Sequence, residues 1–108
     1  MQNDELIPDF INDRLFNLFI EQLSKDFEMS GINIGFIDTL SSDYKQIVAT
    51  IKSQLKQSSI EALLYRVDIG EAQLKNYCKI NQLEFLDGAS ELIVKRILQK
   101  VIFRLKYK

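Results

Sequence analysis

The stretch Asp87-Gly88-Ala89-Ser90-Glu91-Leu92-Ile93-Val94-Lys95-Arg96-Ile97-Leu98-Gln99-Lys100-Val101-Ile102-Phe103-Arg104-Leu105 decides the fold. From Ala89 onward it holds neither glycine nor proline, the two residues that most readily break a helix. Val94, Ile97, Leu98, Val101 and Leu105 recur at three- and four-residue steps, and Ile93, Ile102 and Phe103 widen that stripe. Lys95, Arg96, Lys100, Arg104 and Lys106 fill much of the remaining circumference. The pattern predicts a helix capped by Asp87 that spans roughly 30 Å, the length of a small domain. A helix that long needs other helices to cover its stripe.

The rest of the chain supplies them. Pro8 and Asp9 suit a helix start and Ser30-Gly31 a stop, which predicts a long first helix over 8–29. Its apolar residues, Phe10, Ile11, Leu15, Phe16, Leu18, Phe19, Ile20, Leu23 and Phe27, spread over an arc of roughly 200°. That is wider than a surface helix needs, so the helix is expected either at the centre of the bundle or at a seam between two subunits. Leu15, Phe16, Phe19, Ile20 and Leu23 form the candidate interface of such a homodimer. Residues 32–37 read as a connector that packs Ile34 and Phe36 on the core. Tyr44, Ile47, Ile51 and Leu55 mark a helix over 42–56. Ser58 and Asp68 each precede a glutamate by three residues, Glu61 and Glu71, as in a capping box. Short helices over 59–67 and 69–79 follow, then a loop over 81–87 pinned by Leu83, Phe85 and Leu86. The expectation is an all-α domain over 1–108, a compact bundle of four to five helices in which two long helices flank shorter ones.

Composition agrees and limits the chemistry. The chain has 108 residues, 46% hydrophobic and 27% charged, which suits one globular domain with its own core. There is no histidine, so the commonest general base and zinc ligand is missing. The single cysteine, Cys78, lies at the apolar spacing of a helix face and is expected to be a buried structural thiol. No phosphate loop, dinucleotide fingerprint, calcium loop or convergent carboxylate pair is visible, so neither catalysis nor a cofactor is expected. The acidic first residues do not make a signal peptide and no apolar run could span a membrane, which points to the cytoplasm. The isoleucine- and lysine-rich, alanine-poor composition suggests a bacterial source.

Charge is unevenly distributed along the chain. Residues 1–40 hold eight acids and two bases, whereas residues 91–108 hold one acid and six bases. Opposite ends of that kind are expected to attract each other within one fold. A basic tail can also mark an anionic partner.

One local pattern is more specific. Leu64-Tyr65-Arg66-Val67-Asp68-Ile69-Gly70-Glu71-Ala72-Gln73-Leu74 resembles a helix-turn-helix, with Val67, Ile69 and Leu74 where that family packs its two helices together. The resemblance covers about 20 residues, within 59–79. It departs at Asp68, where the family usually has glycine, and at Leu64, where it expects a small residue. The resemblance implies a recognition helix in which Gln73 and Asn76 read bases while Lys75 and Lys79 reach phosphates. Lys95, Arg96, Lys100 and Arg104 complete the candidate contacts to an anionic partner, whereas Glu71 would repel phosphate. The expected function is a non-catalytic protein acting by protein–protein contact or self-association, with a nucleic-acid binder as the alternative.

Overall fold

The computed structural model describes residues 13–106, of which 78% are helical and none form a strand. Five α-helices follow one another: α1 (Asp13–Met29), α2 (Tyr44–Leu55), α3 (Glu61–Arg66), α4 (Glu71–Asn81) and α5 (Phe85–Lys106), with a 3₁₀ turn at Gly35–Thr39. The all-α bundle with two long helices is as the sequence predicts. The expected start of the first helix at residue 8, with Phe10 and Ile11, lies outside the described residues.

The last helix, rather than the first, is the axis of the fold. At about 1.5 Å per residue its 22 residues match the longest dimension of the molecule, 32 Å. It packs on α1, α2 and α4, and α1 in turn touches α3. Leu92, Ile93, Val94, Ile97, Leu98 and Val101 of α5 are all buried. The stripe ends sooner than the sequence suggests, because Phe103 is 62% exposed and Leu105 also lies at the surface. α1 buries Leu15, Phe19, Leu23 and Phe27 at four-residue steps, while Phe16, Leu18 and Ile20 pack partly buried along its flanks. The wide apolar arc therefore has partners inside the chain. Ile34 and Phe36 pack on the core as expected, with the Phe36 ring 5.6 Å from that of Phe27.

Gly88 of α5 faces Cys78 and Leu74 of α4. A Cβ placed there would collide with the Cys78 Sγ as it stands, so glycine leaves room for the thiol over the crossing. Cys78 is half-buried over this crossing rather than fully enclosed.

The helix boundaries depart from the sequence reading in a consistent way. α1, α3 and α4 all end in a Schellman motif. The N–H of Ile32 donates to the Phe27 carbonyl, that of Ile69 to Leu64 and that of Leu83 to Cys78, each at 2.9 Å. The residue before each donor has a positive φ: 79° at Gly31, 63° at Asp68 and 55° at Gln82. Asp68 is thus a helix terminator, not the N-cap of the next helix, and α4 starts later, after Gly70. Because Gln82 turns the chain so abruptly, Phe85, Leu86 and Asp87 belong to α5, not to a loop. Ser58 does not cap α3 either. Its hydroxyl donates back to the Gln54 carbonyl at the end of α2, while the neighbouring Ser59 donates to Glu61.

A left-handed backbone costs an L-residue other than glycine on the order of 1 kcal/mol. The Gln82 side chain is exposed and makes no hydrogen bond among the described residues. Gln82→Gly should therefore stabilise the fold by about 0.5–1 kcal/mol in urea unfolding. Unchanged or lower stability would mean that the α4–α5 turn is not left-handed.

Candidate functional site

Two features of the fold could meet another molecule: the α3–α4 pair, and a polar cluster where α1, α3 and α5 converge. In the first, Val67, Ile69 and Leu74 are buried where the helix-turn-helix resemblance puts them, and Asp68 adopts the left-handed conformation that glycine usually supplies. Leu64, at the expected small position, is accommodated half-buried. Leu74 is the one fully buried residue of α4. Gln73, Lys75, Asn76, Lys79 and Ile80 are exposed, and Glu71 pairs with Lys75 across one turn at 3.5 Å.

The residues expected to meet an anionic partner do not form one surface. Gln73, Lys95 and Arg96 share a groove of about 350 Å³ between α4 and α5, together with Asn76 and Gln99. Lys100 lines a different groove, and Arg104 lies beside Arg14 and Glu21 at the far end of the bundle. Lys75 and Lys79 line neither of the first two.

Three of the α5 cations are also held within the chain. The Lys95 ammonium donates to the Tyr77 hydroxyl at 3.0 Å and lies 5.1 Å from the ring centroid. That hydroxyl in turn donates to the Glu91 carboxylate at 2.5 Å. Burial first, and then the Glu91 hydrogen bond, push the Tyr77 phenol above its ordinary range, with Lys95 pulling back. Arg96 donates from Nε to the Val67 carbonyl at 3.3 Å and from Nη2 to Asp68 at 3.4 Å, tying the α3–α4 turn to α5.

Lys100 belongs to the second feature. Asp26, 1% exposed, accepts hydrogen bonds from Lys100 Nζ at 3.2 Å, Arg66 Nε at 3.0 Å and Gln22 Nε2 at 3.2 and 3.3 Å. These contacts cross 74 and 40 residues of sequence, and they include the attraction expected between the acidic first segment and the basic last one. Asp26 itself gave no signal in the sequence. One helical turn after Gln22 and one residue before the buried Phe27, it sits at the edge of the α1 stripe, where a carboxylate is ordinarily solvated.

The candidate interface on α1 is placed differently from the expectation. Leu15, Phe19 and Leu23 lie in the chain's own core, Phe19 with no exposed surface, and only Phe16 and Ile20 keep partial exposure. Among the described residues no group of histidine, cysteine, aspartate and glutamate could hold a metal ion, and no helix is long and apolar enough to cross a membrane. Compared with protein-family models, curated proteins and solved structures, the chain matches none.

Removing the charge of a buried carboxylate leaves its cations without a counter-charge, at a cost of about 3 kcal/mol when the partners are themselves partly solvated. Asp26→Asn should lower stability by about that amount, whereas Asp38→Asn, on an exposed residue of the 3₁₀ turn, should stay within about 0.5 kcal/mol. Equal effects of the two substitutions would deny the cluster its role.

The raised phenol of Tyr77 gives a second test. Its neutral form favours the fold at all pH values below the ordinary tyrosine pKa of about 10, and that contribution fades as pH climbs through the higher folded value. Phenolate absorbance should lose a component that titrates above about 10 in Tyr77→Phe. A lost component centred at or below about 10 contradicts the geometry.

Proposed function

We propose that the chain is a non-catalytic interaction module that docks another protein, or a second copy of itself, through the outer face of α4. The observation that carries this reading is the exposure of the outer face of α4, which rests on the bundle through Leu74, Tyr77 and Cys78 and leaves Ala72, Gln73, Asn76 and Ile80 uncovered. Ile80 is 68% exposed and lies beside the amide-lined groove formed with α5. An aliphatic anchor beside hydrogen-bonding amides is the composition of a protein-docking surface, with polar groups around an apolar centre. The lack of histidine, the commonest general base, supports a role without chemistry. A cytoplasmic setting accords with the single cysteine.

The nucleic-acid reading keeps one favourable observation, the left-handed turn at Asp68 between α3 and α4. Against it stand the pairing of Arg96 with Asp68 and the scatter of the other cations over separate grooves, because duplex affinity depends on many cations neutralising phosphates along one face.

A photo-reactive amino acid at position 76 and a control at position 45, exposed on α2, test the proposal in living cells. A discrete protein adduct should form from position 76 alone and disappear with Ile80→Glu. Sedimentation of the purified chain then tells whether the partner is another copy. Equal adducts from both positions, or none, would overturn the docking face. Salt-dependent binding of duplex DNA that Lys75→Gln weakens would replace it with the nucleic-acid reading.

A further inference from the structure

The groove above Asp26 carries more positive charge than the fold needs. It has a volume of about 600 Å³, within the range of small-molecule sites, and Lys25, Tyr65, Arg66, Gly70 and Lys100 line it. Arg66 and Lys100 converge on the single buried carboxylate of Asp26, so two cations face one acid. Asp68, the other acid at the rim, is paired with Arg96. Lys25 is exposed and makes no ion pair among the described residues. Arg66 binds Asp26 through Nε, which leaves its two Nη groups with no protein partner among the described residues, and Lys100 keeps two ammonium hydrogens beyond the one it gives to Asp26.

The same acid that balances part of this charge also holds it in place. The Asp26 carboxylate lies at the floor of the groove, 1% exposed, and accepts from Gln22 as well as from both cations, so its charge is taken up in fixing Arg66 and Lys100. Gly70 adds the start of α4, whose first backbone N–H groups have no side-chain cap, while the Glu71 carboxylate does not line the groove and pairs with Lys75. Tyr65 stands at the rim with 88% of its surface exposed, a large aromatic face that no core packing accounts for. Held cations beside an open aromatic ring fit a ligand with a phosphate at one end and a planar ring at the other.

We infer that the groove between α1, α3 and the start of α4 binds a small phosphate monoester that carries an aromatic ring, with Lys25, Arg66 and Lys100 on the phosphate and Tyr65 against the ring. This binding is separate from docking at the α4 face, and neither depends on the other.

Calorimetric titration of the full chain tests the inference with four probes: adenosine monophosphate, ribose 5-phosphate, inorganic phosphate and adenosine. The monophosphate should bind most tightly, the two phosphates without a base more weakly, and adenosine not measurably. Backbone amide shifts should cluster at Arg66, Gly70 and Glu71. Lys25→Gln removes one charge-assisted contact from a solvent-exposed position and should weaken the monophosphate about tenfold. Tyr65→Ala should bring the monophosphate to the level of ribose 5-phosphate. Both residues are exposed, so both variants should keep the wild-type melting curve. No heat with any phosphate, adenosine binding as well as its monophosphate, or a Lys25→Gln variant of unchanged affinity would each overturn the site. Shifts centred on Gln73 and Asn76 would do the same.

Discussion

The burial of α5 along most of its length is the constraint from which the remaining structure follows. A helix as long as the molecule cannot be covered by one neighbour. α1, α2 and α4 must each turn a face to it, and the short α3 fills the space left beside α1. Near 25 cal/mol for each Å² of apolar surface, six large aliphatic side chains on one helix supply a driving force on the order of 10 kcal/mol before ordering costs. The edges of the α5 stripe carry Lys95, Arg96 and Lys100. Once the apolar face is enclosed, those side chains are drawn to the margins of other helices. Each finds an acid or a phenol there: Tyr77 with Glu91 behind it, Asp68, and Asp26.

That sequence of causes explains what could be read in advance. Residues 42–56 and the stripe of α5 declare themselves because their apolar residues repeat with the period of the helix and lie close together in sequence. The ends of helices were harder, for a physical reason. Glycine is the usual mark of a helix stop and serine or aspartate of a start, and Gly31 carries that mark at the end of α1. At 68 and 82 the left-handed residue is an aspartate and a glutamine, so the same motif was invisible by residue type. A second signal was present throughout: each left-handed residue precedes a large aliphatic one, Ile32, Ile69 or Leu83, whose N–H closes the motif. An apolar residue immediately after the last turn of a helix is what the Schellman contact requires.

The polar cluster illustrates a different kind of concealment. Asp26 in sequence is an ordinary acid in an acidic segment. Its burial depends on Arg66 and Lys100, which stand far along the chain and reach it only through tertiary packing. Local patterns carry no information about such a meeting. The segment charges did carry some, since an acidic first third and a basic end must compensate each other somewhere in a nearly neutral molecule. What they could not reveal was that compensation would be concentrated on one enclosed carboxylate. The choice has a structural consequence, because a buried charge with three donors tolerates few alternative arrangements of α1, α3 and α5.

The α3–α4 pair shows how one residue alters the character of a local motif. In a helix-turn-helix the turn glycine contributes a conformation and no charge. Here Asp68 reaches the same left-handed conformation, helped by a short polar side chain that tolerates it, and brings a carboxylate as well. Arg96 reaches across from α5 to Asp68 and to the Val67 carbonyl, so a cation that borders the α4 groove has its charge answered at the turn. Glu71 then begins α4 with a second negative charge, which its neighbour Lys75 answers at the surface. The left-handed turn between α3 and α4 is thus flanked by two carboxylates, each paired with a cation. The outer face of α4 is left with exposed amides and Ile80 beside Lys75 and Lys79, and it is on the amides and Ile80 that the proposed docking rests.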